Sequence, residues 1–272
     1  MLQLFSKKKY FLKIIASLYL MFLFSSCSTD PNINIQVNAK INVIVSESIS
    51  QTGRTVALTC ATDSIYPCSN YGISSAMQSE GSTIVFRFYN ITIPNSCFGN
   101  PGPATVQFNL GSLGNGNYDL QFLINDDVFQ TTLTVSGNYF KFSNTASKWV
   151  SIKNQTTLRI PTNTIWGYIG FYEDTLKSQA LAYLDSLKNL GAKSYNFLPG
   201  NYSLFQVDST GDLIIPPNTT YKNTIPYIFV YGGDLNLARS LVKYFGKNSH
   251  INVSLLSDKG DVFYSWVLAT EP

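Results

Sequence analysis

A period of two in the apolar residues narrows the choice of fold more than anything else in this chain. Ile33-Asn-Ile-Gln-Val37, Val56-Ala-Leu-Thr-Cys60 and Ile84-Val-Phe-Arg-Phe-Tyr89 alternate between the two faces of a strand. Tyr118, Leu120, Phe122 and Ile124 fall on one side, with Asp119 and Gln121 on the other. After Asn125-Asp126-Asp127, a good hairpin turn, Phe129, Thr131, Leu133 and Val135 repeat the scheme. Loop stretches rich in Gly and Asn, such as Gly99–Pro103 and Gly111–Asn117, separate the runs. About seven candidate strands in roughly a hundred residues predict a two-layer all-β sandwich over 33–137.

That pattern resembles the immunoglobulin-like (Ig-like) modules of bacterial surface proteins, without the core tryptophan of antibody domains. A connecting segment over 138–160 follows, containing Tyr139, Phe140, Trp149 and Arg159. From 161 to 272 the rhythm changes and predicts an α+β domain. Ile165–Phe171 reads as a strand. Asp174 then opens a helix with Leu176, Ala180, Tyr183, Leu184, Leu187 and Leu190 at helical spacing. Tyr202–Val207 and Leu213–Ile215 read as a hairpin around Asp208–Asp212. The order then recurs: strand Ile225–Tyr231, a helix carrying Leu237, Ala238, Leu241, Val242 and Phe245, then strands Ile251–Leu256 and Val262–Val267 around Asp258–Asp261. Two β-α-β-β units with both helices on one face of a sheet are the expectation, because each apolar helix stripe needs a sheet to cover.

The first 26 residues have a different purpose. They hold four lysines and no acid, then an eleven-residue apolar run, Ile14–Phe24, broken only by Ser17. A bilayer span needs about 20 apolar residues, so this run is the h-region of a secretory signal peptide. Phe24-Ser25-Ser26-Cys27 resembles the lipobox of bacterial lipoproteins, in the degenerate form used by Bacteroidota. The resemblance implies cleavage before Cys27 and attachment of diacylglyceryl and often a further acyl chain, such as palmitate, at Cys27. Two or more chains make anchoring stable where one is marginal. Residues 27–32 would be a tether, and the lipid bilayer a partner, most simply at the outer membrane. Asp30 alone does not choose between its periplasmic and outer faces.

Removing the leader takes four lysines from a total of 19 Lys and Arg, leaving 15 bases against 16 acids. No basic footprint for nucleic acid remains. Beyond Cys27 the cysteines are Cys60, Cys68 and Cys97. Outside the cytoplasm a disulfide is expected. Cys60 fits the inward alternation, whereas Cys68 and Cys97 lie in loop-like sequence, so Cys68–Cys97 is favoured and Cys60–Cys97 is the alternative. The pattern matches no metal-ligand spacing and asks for no cofactor.

No catalytic residue emerges. GxSxG, HExxH, P-loop and EF-hand patterns are missing from the sequence. The single histidine, His250, has no Ser or Cys motif to serve, and Gly232-Gly233-Asp234 places a competing carboxylate at a possible anion site. Acid pairs at 126/127, 173/174, 208/212 and 258/261 fit turns and helix starts. A hydrolase built on such carboxylates is one alternative. The aromatics are more suggestive: 17 Tyr, 18 Phe and 3 Trp, with Trp166 and Tyr168 on one predicted strand and Trp266 on another. The leading expectation is a non-enzymatic envelope lipoprotein with a binding or assembly role and an envelope-protein or glycan partner. Stacking of sugars on Trp166, Tyr168 and Trp266 is the glycan-binding form of that expectation.

Overall fold

In the computed structural model, residues 35–214 and 220–271 are described. The alternating stretches become ten strands: β1 (Ile41–Ser50), β2 (Gly53–Tyr66), β3 (Gly72–Glu80), β4 (Thr83–Thr92), β5 (Gly102–Gly111), β6 (Gly116–Ile124), β7 (Asp127–Val135), β8 (Tyr139–Phe142), β9 (Val150–Ile152) and β10 (Thr156–Leu158). They do not divide into an Ig-like sandwich. They form one large mixed sheet in the order β9-β1-β2-β5-β3-β4-β6-β7-β8-β10, curled on itself. Its end strands, β9 and β10, are separated by only Lys153-Asn154-Gln155, so the chain itself links the two edges. The β3–β5 junction is equally economical, a single parallel register pair, Gly72↔Thr105.

The curl follows from the alternation already visible in the sequence. Ile41, Val43 and Val45 of β1, Leu58 and Cys60 of β2, Phe86 and Phe88 of β4, Leu120 and Phe122 of β6 and Phe140 and Phe142 of β8 all turn inward and are buried. Phe86 stacks on Phe122 and tilts against Phe108, each at 4.9 Å. A sheet whose inner face is this apolar must cover it, and here it does so with itself. At one end Cys68 and Cys97 form the disulfide, Cα–Cα 5.5 Å, while Cys60 is a buried free thiol. Asn70 and Ser69 reinforce the crosslink by hydrogen bonds to Ser96 and Phe98.

The rest of the chain forms β11 (Thr164–Phe171), α1 (Lys177–Asn189), β12 (Gly200–Asn201), β13 (Gln206–Val207), β14 (Leu213–Ile214), β15 (Asn223–Val230), α2 (Leu235–Asn248), β16 (Asn252–Ser257), β17 (Val262–Tyr264) and the short α3 (Ser265–Leu268). The expected α+β domain with a duplicated β-α-β-β unit is not what forms. The molecule is mostly β, 50% strand against 15% helix. After α1 the chain makes a separate three-stranded sheet, β12-β13-β14, instead of adding a hairpin beside β11. After β17 the expected strand through Val267 breaks into α3. The four-stranded antiparallel sheet runs β15-β11-β16-β17. Ile165, Ile169, Tyr227, Phe229, Val253 and Leu255 share one buried cluster with Ala180, Tyr183 and Leu187 of α1 and Ala238, Val242 and Phe245 of α2.

Two glycines in β11 set how closely its neighbours approach. A Cβ on Gly167 would lie 1.9 Å from the Ser254 carbonyl oxygen. The bare backbone there lets Tyr227 lie across it and donate its hydroxyl to that same oxygen at 2.7 Å. Tyr183 lies 3.1 Å from the Tyr227 hydroxyl, and burial pushes both phenols well above the ordinary tyrosine range. Pro226 is tolerated in edge strand β15 because Val230 directs its N–H and C=O outward to Lys193, so the even positions of this strand face away from β11.

From residue 36 onward the chain is one compact unit. A buried charge cluster ties the curled sheet to the four-stranded one. The Glu47 side chain, 1% exposed, accepts from Arg159 at 2.7 and 3.0 Å and from Arg54 at 3.3 Å. Arg54 also reaches Asp258 at 3.0 Å and the Ile160 carbonyl at 2.6 Å. Two cations and two carboxylates balance. Beside them Gly260, at φ +85°, has no room for a Cβ against the Ser50 backbone, 2.7 Å away.

Candidate functional site

One face of the four-stranded sheet carries the buried cluster with α1 and α2. On the other, paired residues share a side of the sheet, so the register fixes the rows. Ile228, Trp166, Leu256 and Val262 make one row. Pro226, Tyr168, Ser254 and Tyr264 make the next, and Thr224, Gly170 and Asn252 the third.

The excursion after α1 covers the first row. Phe197, Tyr202, Phe205 and Val207 pack there with Trp166, whose ring meets Phe205 at 5.0 Å and is 4% exposed. Trp166 is therefore placed in a core. Tyr168, two residues on and on the same face, is half-buried outside that cluster. The structure separates two residues that the sequence placed together.

What joins Tyr168 is an aromatic strip. Tyr221 lies against Gly170, where a Cβ would fall 2.2 Å from its ring. Its ring centroid is 6.4 Å from Tyr168 and 5.5 Å from Tyr172, which is 56% exposed. Partial burial, then the neighbouring Tyr168 and Tyr172, push the Tyr221 phenol above its ordinary range. Across Ser254, in the Tyr168 row, stands Tyr264, and Trp266 stacks on it at 4.6 Å with planes 23° apart, 42% exposed. Trp266 reaches this position from α3, not from a strand. Ser254, between the two groups, uses its hydroxyl on the Tyr168 backbone.

Nothing in the composition pointed to Tyr221. It precedes its strand in a polar run, and the usable signal was a glycine inside β11, since a strand glycine marks close approach of another group.

No family model, curated protein or solved structure matches the chain. The strip therefore has to be interpreted from its own chemistry. Its surface is phenol and indole with short polar side chains between, the mixture that stacks planar apolar faces while hydrogen-bonding their rims. The flanking charges, Lys222 and Asp174, pair with each other at 3.4 Å, and Asn223 donates to Asp174 at 2.8 Å. Those contacts, Asn223 first, hold the Asp174 carboxyl below its usual value. Asp174 precedes α1 in a 3-10 turn and does not cap it.

Other acids of the turns have partners of their own. Asp127 accepts from the Trp149 indole, Asp208 from Thr210 and the Asp212 N–H, Asp258 from Arg54, and Asp261 from Ser257. Asp234 caps α2 through the Asn236 N–H at 2.9 Å, occupying the helix start after Gly232-Gly233. His250 is exposed, its backbone N–H 3.4 Å from Gln179. Among the described residues no three His, Cys, Asp or Glu side chains converge, and no helix is long and apolar enough to cross a membrane. Cys27 lies outside the described residues.

Proposed function

We propose that this chain is a non-enzymatic cell-envelope lipoprotein, anchored through acylated Cys27, that binds carbohydrate on the Tyr172–Tyr221–Tyr168 and Tyr264–Trp266 strip. The observation that carries the binding half is Trp266, exposed and stacked on the half-buried Tyr264, in the row of Tyr168 on the sheet face away from the helices. Single exposed aromatics are common on soluble proteins, but a stacked pair beside a cluster of three tilted tyrosine rings is a larger aromatic surface than that. Phe24-Ser25-Ser26-Cys27 after a basic, then apolar leader supports the anchoring half.

Each half has its own test. Growth with an alkyne fatty acid is expected to label the wild-type chain and not Cys27→Ala; equal labelling of both removes the anchor. In affinity electrophoresis through a panel of polysaccharides, at least one is expected to retard the wild-type chain and to lose that effect with Trp266→Ala. No retardation by any polysaccharide would end the carbohydrate reading.

A further inference from the structure

We infer that the strip takes an uncharged, extended, β-linked glycan laid across the strands and stacked on two aromatic platforms at once; this rests on the carbohydrate reading above. The first platform is Tyr168 with Tyr221 and Tyr172, and the second is Tyr264 with Trp266. Tyr168 and Tyr264 pair with the same residue, Ser254, from opposite sides, so β16 lies between them. Two strand spacings put the backbones that carry Tyr168 and Tyr264 about 9.6 Å apart, comparable to the repeat of an extended β-1,4-linked disaccharide. In such a chain each sugar is turned over relative to the last, and the same ring face returns at every second unit. Units one and three can then lie on the two platforms while unit two spans Ser254. The Ser254 side chain is short, buried and engaged with the Tyr168 backbone, so unit two would pass over it without touching it.

Charge and shape narrow the class further. Lys222 and Asp174 flank the first platform and neutralise each other, offering no unpaired cation to a uronate or sulfate. A coiled α-linked chain curves away from a flat sheet and reaches one platform only.

The test uses the full chain in detergent and titration calorimetry with three probes: β-1,4-linked gluco- and xylo-oligosaccharides of two to six units, α-1,4-linked gluco-oligosaccharides of the same lengths, and oligogalacturonate. Affinity for the β-linked series is expected to rise about tenfold between two and four units, the gain from a second aromatic contact. Tyr264→Ala should remove that rise and Tyr264→Phe should keep it. Gly170→Ala should also weaken binding, because its new methyl displaces the Tyr221 ring, with the unchanged thermal melt of this variant reporting an intact fold. Equal affinity for α-linked or anionic chains, or no dependence on length, overturns this inference and leaves the carbohydrate reading standing. Binding of no sugar from any of the three classes overturns both.

Discussion

Replacing Glu47 by Gln should destabilise the protein more than any other single isosteric change. The Glu47 carboxylate is 1% exposed and receives Arg159 through two nitrogens and Arg54 through one. Gln keeps the shape and an acceptor, but it leaves Arg159 with no carboxylate partner and Arg54 with Asp258 alone. Removing one member of a buried ion pair costs about 3–5 kcal/mol, because the partner's charge stays desolvated. Arg54 and Arg159 are 22% and 20% exposed, so water recovers part of that loss and the lower end applies, about 3 kcal/mol. For a chain of this size that is a fall in melting temperature of about 6–12 °C. Differential scanning calorimetry of wild type and Glu47→Gln measures it directly. Half a molar salt should change the difference little, as the cluster is shielded from solvent ions. A melt within 2 °C of wild type would show that the cluster contributes nothing net, and the reasoning from burial would be wrong.

Two other outcomes are expected. Gly167→Ala should prevent normal pairing of β11 with β16, since its Cβ meets a backbone oxygen at 1.9 Å and neither strand can yield cheaply; far-UV circular dichroism with a wild-type spectrum and melt would refute this. Asp208 is held below the carboxylate value of 3.8, first by the Thr210 hydroxyl and then by the Asp212 N–H, and Asp174 by Asn223 and Lys222. A lowered folded pKa stabilises above the unfolded value and is lost as pH falls through the folded one, so the melting temperature should hold down to the ordinary carboxylate range and drop below it. Asp208→Asn should flatten that acid limb; a carboxyl NMR titration placing Asp208 at or above 3.8 would remove the basis for it.

Strands were legible because alternation is a local property. Phe86, Phe122 and Leu133 each announce an inward face from five or six neighbouring residues. Which sheet a strand joins is decided elsewhere, by partners far along the chain. The sandwich reading failed at β8, β9 and β10, whose three or four residues are too short to show a period of two. Those strands lie in the stretch read as a connection, and they carry the sheet round to meet itself. In the C-terminal part, Tyr202–Val207 has the apolar content of a sheet strand, but its rings turn onto Trp166 and form a cover. Trp166 and Trp266 look equivalent in sequence; one is capped by that cover and the other is lifted by α3 onto Tyr264. The Cys68–Cys97 pairing was readable because Cys60 occupied an inward register position and the other two did not.

Among the described residues, a sheet whose two ends are spliced by three residues, and a proline in one border strand of the second sheet, reduce the backbone free to recruit another copy. Molecules fixed to a surface meet one another at local concentrations far beyond those in free solution. If this chain is anchored as proposed, those shielded ladder ends would let it be packed densely there and remain a field of separate units.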